Sequence, residues 1–200
     1  MKKIEFYFDI SSPYSYLAHE QLKLFEKNNK ININFMPVLL GGIHQMANIT
    51  APGLNPSKAK HMIKDLKICA DWYKIKFQFN RYFPLTTVSI MRGAIIAEKE
   101  GFLKNYTESF FKAAWVDSLN LNDNKTISLF ELKLTKNLNI YKMNLDEIRK
   151  IDCGSKVLNR FPQQEKTVER KPSFKEFESH FNNYDGEILF EIKYKISISL

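Results

Sequence analysis

The sequence is poor in the residues that most often announce a chemistry. Cysteine occurs twice in 200 residues, at positions 69 and 153, with no Cys-x-x-Cys pair and no zinc spacing. A local dithiol centre and a thiolate metal site are therefore not expected. The four histidines, His19, His44, His61 and His180, stand at no metal-ligating interval either, so no metal is expected. No stretch approaches the roughly 18 apolar residues of a membrane-spanning helix. Glu5 and Asp9 interrupt the apolar run that a secretory leader would need after Met1-Lys2-Lys3. These readings point to a soluble, cytoplasmic chain with no membrane partner. Arginine is also scarce: Arg81, Arg92, Arg149, Arg160 and Arg170 are five of the 30 basic residues. Arginine suits bidentate recognition of phosphates and bases, and the lysines are scattered. The formal charge of +8 is thus read as a weak preference for anionic small molecules, and nucleic-acid binding is not expected.

What the chain does have is apolar residues. They make up 44% of the sequence, with 14% aromatic, enough for a sizeable core. Ile4 to Phe8 reads as a short buried strand. It runs into Asp9-Ile10-Ser11-Ser12-Pro13, a turn and helix start in which Ser12 is the N-cap and Pro13 the first helical residue. Leu17, Leu22, Leu24 and Phe25 follow at helical spacing, Asn28-Asn29 closes the helix, and Ile31 to Leu40 reads as a second strand. Strand, helix and strand make a βαβ unit with a parallel pair.

The middle of the chain reads as helical. Asn55-Pro56 starts a run from Lys58 to Tyr73, on which Ile63, Leu66, Ala70 and Tyr73 make an apolar face and Cys69 is a small core residue. Thr86 or Thr87 starts a helix that Gly101 closes. Asn105 and Glu108 form a capping-box pattern ahead of Phe110, Phe111, Ala114 and Trp115. Further helices are expected over 126–138 and 144–158. Trp72 and Trp115 fit apolar faces and are read as core. There are no internal repeats and no linker between autonomous units. The tail from Phe161 is broken up by charge, and only Glu187 to Leu200, with alternating Ile188, Phe190, Ile192, Tyr194, Ile196 and Ile198, suggests strands. One domain over 1–200 is expected, with a helical insertion at about 55–158 and a degenerate or poorly ordered tail at about 161–200.

Three ordered blocks carry a family resemblance. The first is Phe6-Tyr7-Phe8-Asp9-Ile10-Ser11-Ser12-Pro13-Tyr14-Ser15-Tyr16-Leu17, the second Pro52-Gly53-Leu54-Asn55-Pro56-Ser57-Lys58-Ala59 through Lys64-Asp65-Leu66. The third is Phe83-Pro84 followed by Ser89-Ile90-Met91-Arg92, and Ala114-Trp115 fits a later helix of the same pattern. Together they resemble the 2-hydroxychromene-2-carboxylate isomerase and kappa-class glutathione transferase family, in the DsbA-like branch of the thioredoxin superfamily. The resemblance implies an α/β, thioredoxin-like fold with a helical insertion and an atypical C-terminal part. Where redox members of that superfamily carry Cys-Pro-x-Cys, this chain has Ser12-Pro13-Tyr14-Ser15.

The resemblance also implies a chemistry. Glutathione would be the cofactor, and Ser12 would donate a hydrogen bond to its sulfur, favouring the more nucleophilic thiolate. On the residues alone, Ser12 lies at the positive end of a helix, where anions bind, or simply caps that helix. Pro13 and Tyr14 would adjoin the ligand, with core packing as the other reading of Tyr14. Asn48 lies near the family's glutathione-contacting Asn and is otherwise a turn residue. Pro172 is the candidate for the family's cis-proline and is otherwise a loop proline; the Val-Pro-Thr-type motif and the closing Asp-Arg-type signature are not intact. The expected function is glutathione-dependent isomerisation of an aromatic-degradation intermediate, an aromatic compound or ketoacid. The alternatives are a kappa-class transferase and an inactive relative with a decayed C-terminus. A homodimer is compatible with either enzyme.

Overall fold

The computed structural model describes residues 2–28 and 31–137. In chain order these form β1 (Lys2–Phe8), α1 (Pro13–Asn28), β2 (Ile31–Pro37), α2 (Leu40–Met46), a 3-10 turn (Pro52–Leu54), α3 (Pro56–Trp72), α4 (Val88–Lys99), α5 (Leu103–Trp115) and α6 (Asn124–Asn137). The helix expected over 144–158, the expected tail strands, Cys153 and Pro172 lie outside the described residues.

β1 and β2 are parallel and in register from Lys2 opposite Ile31 to Phe8 opposite Pro37. Alternation decides which residues point inward, because successive side chains leave a strand on opposite faces. Phe6, Phe8, Ile33 and Phe35 are buried on one face, with the Phe6 and Phe35 rings edge-to-face at 5.6 Å. The helices α1 and α5 share that core through Tyr16, Leu17 and Phe111. On the other face Tyr7 packs with Val38, Leu39, Ile43 and Ile95, so α2 and α4 contribute there. The second strand stops at Pro37, three residues short of the expected end at Leu40, and the chain turns into α2, which sequence periodicity does not signal.

Helix termini explain most of the remaining boundaries. Asn55 caps α3 by accepting the Lys58 N–H at 3.1 Å, with Pro56 as the first helical residue. The helix α4 ends in a Schellman motif. The Phe102 N–H donates to the Ala97 carbonyl and the Gly101 N–H to that of Glu98, with Gly101 at φ +79°. That motif leads straight into α5 at Leu103, so the expected capping box at Asn105 and Glu108 does not form. Burial of Phe102 and Leu103 fixes the helix start instead, and Glu108 pairs with Lys23 at 2.9 Å. The helix α6 begins two residues before Thr126, because the Asp123 carboxylate accepts the Thr126 N–H at 3.0 Å.

Two apolar positions of α3, Trp72 and Ile63, depart from expectation. Trp115 is fully buried, whereas Trp72 is 80% exposed and is not core. Trp72 is the last residue of α3, and Ile63 and Ile68 on the same helix are also exposed, leaving Met62, Leu66 and Ala70 to face inward. Cys69 is half-buried against the core. Among the described residues, no helix is long and apolar enough to cross a membrane.

Candidate functional site at the start of the first helix

In an open sheet with parallel strands, ligands bind beyond the carboxyl ends of the strands, where helix N-termini gather. Here that end is reached at Phe8 and Pro37. The turn after β1 is closed twice. The Ser11 N–H donates to Asp9 Oδ1 at 2.9 Å, and the Ser12 N–H donates to the Asp9 carbonyl at 3.0 Å. The Trp115 indole N–H then donates to the Ile10 carbonyl at 2.9 Å, pinning the turn to the end of α5.

Ser12 is the N-cap of α1. Its Oγ accepts the Ser15 N–H at 3.1 Å, and its carbonyl accepts the Tyr16 N–H at 3.2 Å. The capping bond uses an oxygen lone pair, and none of the hydrogen bonds among the described residues uses the hydroxyl hydrogen. Ser12 is half-buried, so that hydrogen is available to an acceptor lying against the helix start. The capping and ligand-binding readings of Ser12 are therefore compatible. Ser15 is buried one turn further along.

Pro13 is buried at the first helical position, where a missing N–H leaves no bond unmade. Tyr14 is half-buried, and its hydroxyl donates to Asp65 Oδ2 on α3 at 2.6 Å. Burial, and then the bond and charge of Asp65, push the Tyr14 phenol well above its ordinary range. It stays protonated and ties the first turn of α1 to α3. Asn48 lies beyond the far end of α2 from Leu40, exposed, with φ +52°. Asparagine tolerates that left-handed conformation. The structure thus groups Ser12, Pro13 and Tyr14 on one helical turn and sets Asn48 in a separate turn. The cis X-Pro bond among the described residues is Phe83-Pro84.

Asp9 is a residue that sequence reasoning took only as a turn signal. Its buried carboxylate accepts from Ser11 and from Thr87 Oγ1 at 2.7 Å through Oδ1, and from the Leu40 N–H at 2.8 Å through Oδ2. Burial pushes its carboxyl above the usual range, and the Thr87, Ser11 and Leu40 donors offset that rise only in part. An acid directly after a buried strand was the visible signal; its partners at 40 and 87 have no sequence signature.

A βαβ unit whose site is a helix N-terminus beyond the parallel strands, followed by a run of helices, is the architecture of a thioredoxin-like protein. Residues 3–147 match the model of the DSBA-like thioredoxin domain, and the chain belongs to that family. It is 31% identical over 96 residues to glutathione S-transferase kappa 1 of Homo sapiens, a stretch covering 48% of this chain and 42% of that protein. Against glutathione S-transferase kappa 1 of Caenorhabditis elegans the identity is 34% over 76 residues, covering 38% of this chain and 34% of that one. The matched stretch spans less than half the length of either relative. Among solved structures, a 2-hydroxychromene-2-carboxylate isomerase superposes with a TM-score of 0.62 at 20% identity, covering 79% of this chain and 80% of that one. The last likeness is one of fold.

Proposed function

We propose that this protein is a glutathione-dependent isomerase of the 2-hydroxychromene-2-carboxylate isomerase type, acting on an unsaturated ketoacid from aromatic degradation. The observation that carries the reading is Ser12 at the start of α1, whose hydroxyl hydrogen enters none of the hydrogen bonds among the described residues. A sulfur resting there meets one directed O–H donor and the positive end of a 16-residue helix, and both favour the thiolate over the thiol. The Ser12 hydroxyl fits glutathione sulfur in kind, because an O–H donates to a thiolate, and no cysteine stands at position 12 or 15 to form a disulfide with it. When bound, glutathione supplies the thiolate that adds to the substrate double bond and is later expelled. The chain's own part is to hold that sulfur in place and to keep the proton off it. Ser12 does so directly, the double closure of the Asp9–Ser12 turn fixes Ser12, and the Tyr14–Asp65 bond fixes the turn of helix that follows.

A second reading is a kappa-class transferase that consumes glutathione, favoured by the names of the relatives that share 31% and 34% identity with this chain. Calorimetric titration of the intact chain with glutathione tests what the two have in common, and absence of binding overturns both. Glutathione mass balance during turnover then separates them: recovery of the thiol supports isomerisation, and stoichiometric loss supports conjugation.

A further inference from the structure

We infer that Asp9 is the positioning residue of the Ser12 site, holding the turn that aims the Ser12 hydroxyl by tying it to the starts of α2 and α4. The inference rests on the reading of Ser12 as the contact for glutathione sulfur.

Asp9 is 2% exposed, and a buried carboxylate is costly unless its oxygens are satisfied. None of the ion pairs among the described residues includes it. It is satisfied instead by three neutral donors from three segments: the Ser11 N–H in its own turn, the Leu40 N–H at the first residue of α2 and the Thr87 hydroxyl just before α4. All three meet three residues upstream of Ser12. Through Ser11 the carboxylate fixes the backbone leading into the cap, and through Leu40 and Thr87 it fixes where that turn stands relative to its neighbours.

Thr87 supplies an independent observation. It occupies the N-cap position of α4, where a threonine ordinarily accepts a bond from its own helix, yet its side chain makes no capping bond. Its hydroxyl is spent on Asp9 across 78 residues of sequence. The orientation that lets Thr87 donate to Asp9 makes no bond to its own helix, and departures of that kind from local consistency concentrate at functional positions.

Three variants test the inference. Asp9→Asn keeps an acceptor for Ser11 and Thr87 but turns an amide N–H toward the Leu40 N–H. Thr87→Val removes the hydroxyl at nearly constant shape, and Thr87→Ser restores it. We expect Asp9→Asn and Thr87→Val to raise the glutathione dissociation constant about tenfold. Both should also raise the pH midpoint at which bound glutathione becomes the thiolate, followed by its ultraviolet absorbance, with Thr87→Ser near parental on both measures. Amide exchange at Ser12 and Ser15 should accelerate in the first two variants and not in the third. If Asp9→Asn does not fold, the Val and Ser variants at position 87 decide alone. Parental affinity, midpoint and exchange in Thr87→Val, with only a lower melting temperature, would reduce Asp9 to a structural residue and overturn the inference. If the parental chain binds no glutathione, the reading of the site fails, and exchange at Ser12 and Ser15 decides whether Asp9 positions the turn. Acceleration supports it, and unchanged rates overturn it.

Discussion

Tyr106 and Glu131 meet in the protein interior with side-chain oxygens 2.8 Å apart, while Tyr106 Oη also lies 2.9 Å from the Ile90 carbonyl. A phenol has one hydrogen, and a carbonyl can only accept. With Glu131 ionised, the phenol hydrogen must be shared between the carboxylate and the Ile90 carbonyl. With Glu131 protonated, its carboxyl can donate to Tyr106 Oη and leave the phenol to donate to Ile90, so that both contacts are full hydrogen bonds. Burial pushes the Glu131 carboxyl up to about 7, against a smaller downward pull from Tyr106.

A pH dependence follows from this pair. Because folding raises the affinity of Glu131 for its proton, its contribution to stability is fully present below the unfolded value of 4.5. That contribution is lost as pH rises toward the folded value of about 7, and stays lost above it. The whole swing is about 3 kcal/mol. Glu131→Gln keeps a donor for Tyr106 without titrating, so it should match the parent near pH 4 and be the more stable protein at pH 8. Urea unfolding across that range measures it, and parallel stability curves for the two proteins would contradict the assignment.

Gly93 makes room for the same pair. A Cβ at position 93 would collide with Tyr106 Oη and stand 2.9 Å from Glu131 Oε1. Tyr106 is fully buried and has nowhere to move. Gly93→Ala should therefore cost about 1–3 kcal/mol by overpacking, although alanine is the better helix former by about 1 kcal/mol. Adding Tyr106→Phe removes the nearest of the colliding atoms and leaves the ring Cζ at 2.8 Å, so the double variant should recover part of the overpacking cost and lose less than the sum of the single losses. Strict additivity in the double-mutant cycle would show that the crowding is relieved elsewhere.

The elements legible from sequence are those whose signals are local. Ser12-Pro13 and Asn55-Pro56 mark helix starts because cap and first-turn chemistry is written in adjacent residues, and Gly101 marks an end because its backbone needs positive φ. The thioredoxin-like fold and the family were readable from three motif blocks that precede the C-terminal tail. What misled was periodicity without depth: Trp72 continues an apolar spacing along α3 but emerges at its exposed end. The capping box at Asn105 and Glu108 lost to the burial of Phe102 and Leu103. The ties from Asp9 to Leu40 and Thr87 were not legible at all, because each joins residues that only the folded chain brings together.

The two tryptophans should report their opposite environments. Trp72 is exposed at the end of α3, while Trp115 is enclosed by Phe77, Phe79 and Phe83 and bonded to Ile10. Iodide should quench the emission lost in Trp72→Phe and spare the emission lost in Trp115→Phe. The first change should alter stability by no more than about 0.5 kcal/mol. The second leaves the Ile10 carbonyl without its indole donor and should cost about 1–3 kcal/mol. Equal quenching of both residues would mean that the Trp115 cluster is open to solvent.

Ser12 has two jobs that substitution can separate. Ser12→Ala removes the cap on the Ser15 N–H, worth about 1 kcal/mol of stability, together with the hydroxyl hydrogen offered to glutathione sulfur. A hydrogen bond to a charged group is worth about 1.5–3 kcal/mol, so turnover should fall by one to two orders of magnitude. The pH at which bound glutathione becomes the thiolate should rise. Ser15→Ala removes a buried hydroxyl one turn away and should leave turnover nearly intact. Ser12→Asp is the decisive control. A carboxylate caps a helix as well as serine does, so its stability should return to the parental level, while its negative charge repels a thiolate and should depress turnover below that of Ser12→Ala. If Ser12→Asp recovers turnover along with stability, the serine acts only as a cap, and the sulfur of glutathione is held elsewhere.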